Sequence, residues 1–325
     1  MSILDPKSQF RGRFAPSPTG DLHLGNARTA LLAWLQARAA GGRFVLRVED
    51  LDRGRVRPGI MEAQLADLRW LGLDWDEGPD VGGPFAPYEQ SRRQGLYEQA
   101  LRRLAARGLL YGCFCTRREI AGAASAPNGP DDEGPVYPGT CRALTPEEVE
   151  QRRAERGEAA VRFRVPARSV GLHDLLQGDR TFRPAEETGD FVVRRKDGVA
   201  AYQLAVVVDD AAMEVTHVVR GADLLPSTAR QLLLYEALGL EPPAWIHVPL
   251  LLGPDGERLA KRHGAVSLRE LREGGVRPET VVGWLAATCG LADAGEEAAP
   301  RDLLGRFSLE RLPREPLILP ATPWR

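Results

Sequence analysis

The stretch GRFAPSPTGDLHLGN, residues 12–26, decides how the rest of the chain is read. A short run, Arg11 to Phe14, enters it with the character of a strand, and Asn26 to Ala40 leaves it with the character of a helix. Pro16 and Pro18 fix their own φ and restrain the residue before each. The loop therefore has little conformational entropy left to lose. Gly20 permits a sharp turn, and Asp21 is the expected N-cap of the helix. Free backbone N–H groups and the positive end of the helix lie behind it, a ready anion site. His23 can donate to a phosphate oxygen, Gly25 lets a flat base approach the backbone, and Asn26 adds a donor. The whole reads as the entry to a nucleotide site braced by proline. Taken alone, His-Leu-Gly-Asn reads more simply as a helix start with a capping histidine.

Outward from this stretch, strand and helix alternate. RFVLRVEDLD (Arg43 to Asp52) is apolar enough for a buried parallel strand, and Gly41-Gly42 before it closes the first helix. Gly59 to Leu73 and Gln90 to Gly108 carry helical spacing. From Leu109 to about Arg195 the pattern breaks into short strands and a loop rich in Pro, Gly and Asp, which reads as an insertion. Alternation resumes at Val199 to Gly221, with a helix at Ser227 to Leu240 and a strand at Ala244 to Gly253. This predicts an α/β fold, a doubly wound parallel sheet. Its halves are residues 1–108 and 196–265, with an insertion at 109–195 and a helical region at 266–325.

The 325 residues have a formal net charge of -2, so no global field draws in nucleic acid. Of 43 basic residues only Lys7, Lys196 and Lys261 are lysines. No apolar run approaches the ~18–20 residues of a membrane span. The N-terminus lacks a signal-peptide pattern. The expected location is cytoplasmic, with no membrane partner and reduced thiols. The rare Lys261 lies in a second distinctive stretch, LLGPDGERLAKRHGA (Leu251 to Ala265). A strand ends there in a Gly-Pro-Asp-Gly turn that presents Arg258, Lys261, Arg262 and His263. A point charge on a loop suits a departing pyrophosphate; a solvated hairpin is the plain alternative.

Together, RFAPSPTGDLHLGN and RLAKR resemble the HIGH and KMSKS signatures of class I aminoacyl-tRNA synthetases. GRFAPSPTG with RVEDLD is similar to the glutamyl subgroup, and the likeness runs from about Arg11 to Ala265. Asn26 departs from the final histidine of HIGH, and Arg258, Ala260 and Arg262 depart from KMSKS. The short length resembles the glutamyl-queuosine tRNA(Asp) synthetases, which lack an anticodon-reading region. That resemblance implies a monomer that activates L-glutamate with ATP and Mg²⁺ and esterifies queuosine in tRNA(Asp). Glutamylation of tRNA(Glu) by an atypical synthetase and a silent RNA-binding paralogue are the alternatives. It implies His23, Gly25, Asn26 and Lys261 at ATP, with His23 and Lys261 catalytic. It also implies Arg13, Ala15, Ser17, Glu49, Tyr202 and Arg220 at glutamate. The residue chemistry agrees: two arginine forks suit carboxylates, and Glu49 suits an ammonium.

Cys113, Cys115 and Cys141 supply most of a tetrahedral metal site. Tyr137 stands four residues before Cys141, on the same face of a helical turn. The resemblance implies a structural Zn²⁺ on Cys113, Cys115, Tyr137 and Cys141. From the residues themselves, Asp131, Asp132, Glu133 or water remain open as the fourth ligand, and iron as the metal. Cys289 reads as a core thiol.

Overall fold

The computed structural model describes residues 10–123, 136–253, 255–257 and 266–319. The first part holds β1 (Arg11–Phe14), α1 (Leu24–Ala39), β2 (Arg43–Leu46), α2 (Ile60–Trp70) and α3 (Gln94–Ala106). Next come β3 (Leu110–Cys113), α4 (Arg117–Ala123), α5 (Pro146–Arg156), β4 (Ala160–Phe163), β5 (Val170–Asp174), β6 (Gly178–Phe182), α6 (Pro184–Glu187) and β7 (Val192–Arg194). The last part holds α7 (Tyr202–Ala212), β8 (His217–Gly221), α8 (Leu225–Leu238), β9 (Ala244–Val248) and β10 (Leu251–Leu252). It ends with α9 (Leu268–Glu273), α10 (Pro278–Ala287) and β11 (Leu317–Ile318).

The main sheet has the order β2-β1-β8-β9-β5-β6. Its first five strands are parallel, with Phe14 beside Leu46, Gly12 beside His217, Gly221 beside Val248 and Asp174 beside Trp245. Successive side chains of a strand point to opposite faces. Phe44 and Leu46 accordingly join one core and Val45 the other; Val219 and Val218 divide the same way. Both faces are covered, as a doubly wound sheet requires. The chain passes from β1 outward to β2, and from β8 outward to β9 on the other side. The order therefore reverses between β1 and β8. Open α/β sheets bind ligands at such a switch point, beyond the carboxyl ends of the strands.

The segment 109–195 divides in two. β3, β4 and β7 form a separate three-stranded sheet, while the β5–β6 hairpin extends the main sheet. In β5, buried Val170, Leu172 and Asp174 alternate with exposed Gly171 and His173. That half-buried pattern does not tell from sequence which sheet the strand will join.

Helix α1 starts at Leu24, two residues before the expected start, and is buried on nearly every side. Leu31, Leu32, Trp34 and Leu35 are all at most 1% exposed. A helix apolar all round must be enclosed, and α10 lies against it. Buried Arg28 ties the two together: its guanidinium donates to the Pro249 carbonyl at 2.6 Å and to Thr288 Oγ1 at 3.2 Å. Gly41 closes α1 with left-handed backbone at φ +63°, as the double glycine leads one to expect. Among the described residues, no helix is long and apolar enough to cross a membrane.

Gly283 of α10 marks the tightest packing in this layer. A Cβ there would lie 1.8 Å from the Glu296 carbonyl oxygen, so backbone would have to move. Gly283→Ala is expected to cost about 1–3 kcal/mol, as overpacking does. The measurement is the urea midpoint, and an unchanged midpoint would contradict the close approach.

Candidate active site

A cleft of about 620 Å³ opens at the carboxyl end of β1 and β8. It gathers Arg13, Ala15, Ser17, His23, Gly25, Asn26, Glu49, Tyr202 and Arg220 on one surface. Lys261, Arg258, Arg262 and His263 lie outside the described residues. The described residues flanking them meet the cleft on both sides: Leu251 lines it, and Ser267 pairs with His23.

His23, not Asp21, is the N-cap of α1. Its Nδ1 accepts from the N–H of Gly25 at 3.1 Å and of Asn26 at 3.3 Å. Asn26 Oδ1 accepts from the His23 N–H at 3.2 Å and completes a capping box. One expectation changes with this. The first-turn N–H groups of Gly25 and Asn26 are not free for an anion, because the imidazole engages them. A Cβ at Gly25 would lie 3.0 Å from His23 Cε1, so the glycine also leaves room for the imidazole. With Nδ1 accepting, the ring proton sits on Nε2. Burial holds the His23 pKa below its ordinary 6.5, so the ring is neutral near pH 7. His23 lines the cleft, and the one proton its neutral ring keeps is on Nε2. Asp21 instead pairs with Arg269 at 3.0 Å and links the loop to α9.

The proline loop is fastened along its length. Pro16 O accepts from the Glu49 N–H at 3.0 Å, and Pro18 O from the Arg57 N–H at 3.1 Å. Buried Gln64 of α2 donates to Ser17 O at 3.1 Å and to Gly20 O at 2.8 Å. Leu22 O accepts from the Leu268 N–H at 2.8 Å. Ala15 and Ser17 are thereby held at the cleft wall.

Behind the wall lies a buried charge network. Arg47, 0% exposed, pairs with Asp210 and with Glu49, the latter at 3.0 Å. Arg13 faces Asp210 at 3.4 Å and the Val219 carbonyl at 3.5 Å. Burial raises the Glu49 pKa, against the pull of Arg47 and Arg13. Tyr202 is 38% exposed at the cleft; loss of water around its hydroxyl and the neighbouring Glu49 charge raise its pKa.

Arg220 differs from these. It is 4% exposed, yet no carboxylate lies within ion-pair distance of it among the described residues. Its Nε donates to His247 Nε2 at 2.9 Å and its Nη2 to Thr228 Oγ1 at 2.7 Å, both neutral acceptors. Its Nη1 is buried with no partner. An unpaired buried charge is costly; here it lines the cleft. His247 Nδ1 in turn meets Asp174 Oδ2 at 2.6 Å. Arg47, Gln64, Asp210, Asp174 and His247 were not singled out from the sequence. Two signals were there to read: an arginine inside the apolar run RFVLRV, and an Asp pair closing the apolar run LAVVVDD.

In the small sheet region, the sulfurs of Cys113, Cys115 and Cys141 lie within 4.8 Å of one another. Tyr137 Oη stands 3.5 Å from Cys113 Sγ and 3.9 Å from Cys115 Sγ. Zn–S bonds of about 2.3 Å at tetrahedral angles put sulfurs about 3.8 Å apart, and Cys115 and Cys141 are 3.6 Å apart. The donor set can hold a metal. The Tyr137–Cys141 span is an irregular turn rather than a helical one. The Cys141 N–H donates to Tyr137 Oη at 2.8 Å and fixes the phenol among the thiols. Asp131, Asp132 and Glu133 lie outside the described residues. Cys289 is buried in the core, as expected.

Residues 9–301 match the family model for the class I tRNA synthetases (E and Q), catalytic domain, and the chain belongs to that family. It is 61% identical over 310 residues to a glutamyl-Q tRNA(Asp) synthetase of Symbiobacterium thermophilum, covering 95% of this chain and 96% of that protein. A protein of the same name from Nitratidesulfovibrio vulgaris is 53% identical over 312 residues, covering 96% of each. The fold is similar to a crystal structure of a glutamate-tRNA synthetase from Elizabethkingia anophelis, with TM-score 0.84 and 32% identity. That match covers 97% of this chain and 68% of the other.

The buried His247 makes stability depend on pH. Burial lowers its pKa from 6.5 to about 4, although the Asp174 hydrogen bond opposes this. As pH falls below about 6.5 the unfolded chain takes up a proton that the folded chain refuses until about 4. This contribution is therefore complete above that window and lost on descending through it, on the order of 3 kcal/mol in all. His247→Gln is expected to flatten this part of the slope. Urea denaturation of both proteins from neutral pH down to about 4.5 checks it; equal slopes would contradict it.

Proposed function

We propose that the chain activates L-glutamate with ATP, without tRNA, and passes the glutamyl group to queuosine in tRNA(Asp). The observation that carries the first half is Arg220, buried and without an acidic partner, in the same cleft as the His23 donor. An acidic amino acid brings the missing anion. The names of the two relatives, each covered at 96%, support the second half.

In the first step a carboxylate oxygen of glutamate attacks the α-phosphorus of ATP. The new O–P bond forms as the bond to pyrophosphate breaks. The carboxylate is already ionised at pH 7, so the step needs no general base. The protein's part is positioning and charge stabilisation. His23 Nε2–H donates to a phosphate oxygen, with Gly25 and Asn26 beside the nucleotide. Arg13 and Arg220 hold the two carboxylates, Glu49 takes the ammonium, Tyr202 adds a hydrogen bond, and Ala15 and Ser17 shape the wall. Lys261 meets the departing pyrophosphate in this reading. Mg²⁺ bound with ATP supplies further charge neutralisation. In the second step a hydroxyl of the queuosine cyclopentenediol attacks the glutamyl carbonyl, and AMP leaves.

Glutamate-dependent exchange of pyrophosphate into ATP is expected without any RNA. Glutamate should then be transferred to tRNA(Asp) that carries queuosine and not to tRNA(Asp) that lacks it. Exchange that needs tRNA(Glu), with charging of its terminal adenosine, would overturn this in favour of a glutamyl-tRNA synthetase. No exchange and no glutamate binding would leave a silent paralogue.

Zn²⁺ on Cys113, Cys115, Cys141 and Tyr137 completes the proposal, in a structural role. Elemental analysis of the purified chain is expected to find one zinc per chain. Cys141→Ser should reduce that content and lower the melting temperature. A metal-free chain of unchanged stability would contradict the assignment.

A further inference from the structure

We infer that His247 and Asp174 act as positioning residues for the substrate carboxylate, by orienting Arg220 without neutralising it. This rests on the proposed glutamate site. Asp174, 1% exposed, is placed one residue back from Arg220, with the His247 ring between them. Asp174 Oδ1 accepts from the Leu176 N–H at 3.0 Å and the Gln177 N–H at 2.7 Å, so the carboxylate cannot turn. Its Oδ2 holds the proton of His247 on Nδ1. That leaves Nε2 as a lone-pair acceptor, and Arg220 Nε–H meets it. Thr228 Oγ1 fixes the guanidinium at a second point, through Nη2.

Two of the three guanidinium nitrogens are thus committed, and the plane of the fork is set. The third, Nη1, is buried with no partner, and in the proposed glutamate site it is the nitrogen left to meet a carboxylate. A carboxylate touching Arg220 directly would orient it as well, but would also compete with the substrate for its charge. A neutral imidazole avoids this. It keeps the cation uncompensated at the one site where an anionic ligand supplies the compensation. The residues come from three strands and one helix: β5, β8, β9 and α8. The specificity of the cleft is therefore built into the sheet rather than into a loop.

The test compares two amides at position 247 in the full chain. Gln reaches far enough to place its amide oxygen where Nε2 stands; Asn does not. His247→Asn is expected to raise the KM for glutamate about ten- to a hundredfold in pyrophosphate exchange, the worth of one hydrogen bond to a charged group. The KM for ATP should stay within about twofold, because no lost contact faces the nucleotide. His247→Gln should restore the glutamate KM to within about threefold of the parent, a difference worth well under one such bond. Asp174→Asn is the second variant. Its amide group must face His247, because the oxygen is claimed by Leu176 and Gln177. The ring proton then moves to Nε2, against the Arg220 Nε–H, and the glutamate KM should rise again. The ¹⁵N shifts of His247 in the parent should show protonated Nδ1 and bare Nε2. Equal glutamate KM in the Asn and Gln variants, or a fall in kcat with both KM values unchanged, would overturn the relay while the parent remains active. A parent chain inert with glutamate would overturn the proposed function, and this inference with it.

Discussion

A buried cation without an anion is the constraint around which the cleft is arranged. Arg13 and Arg47 share Asp210, and Arg47 also holds Glu49. Arg220 has only neutral partners among the described residues. A folded chain tolerates such a charge when hydrogen bonds hold it and the site serves a ligand. The position at the crossover between β1 and β8 is what makes this possible. Two parallel strands there diverge into different halves of the fold and leave room between their carboxyl ends.

The side of the cleft proposed for the nucleotide follows a different rule. The donor proposed there is a side chain that has taken over the helix terminus, rather than the terminus itself. His23 satisfies two backbone N–H groups and shows the cleft one proton. The cost to the helix is nil, since those groups needed a cap in any case. The gain is direction: a single Nε2–H points where a phosphate oxygen lies in the proposed reaction. Gln64 and the prolines keep the loop from adapting, and α9 is fastened to the same loop through Asp21–Arg269.

Local chemistry was legible from sequence, while long-range pairing was not. The β1 span, the double-glycine stop after α1 and the clustering of three cysteines all follow from short-range patterns, and each is found where expected. Of the two caps the sequence offers, Asp21 is the stronger type, yet the Asn26 reciprocal bond decides for His23. The Tyr137 placement rested on helical spacing, yet a turn achieves the same approach. The β5–β6 hairpin joined the main sheet although its surroundings read as an insertion. Asp174 and His247 are 73 residues apart, and Arg28 and Thr288 are 260 apart. No window along the chain contains such pairs. The membership shown by residues 9–301 agrees with the reading from the two signature stretches.

The central claim is that an uncompensated Arg220 selects an anionic side chain. Calorimetric titration of glutamate and of glutamine, with a non-hydrolysable ATP analogue present, tests it most directly. The two ligands differ by one charge and little else. The account predicts binding of glutamate and an affinity for glutamine lower by about a hundredfold or more, the loss of a charged, buried contact. Equal affinity for the two would contradict it.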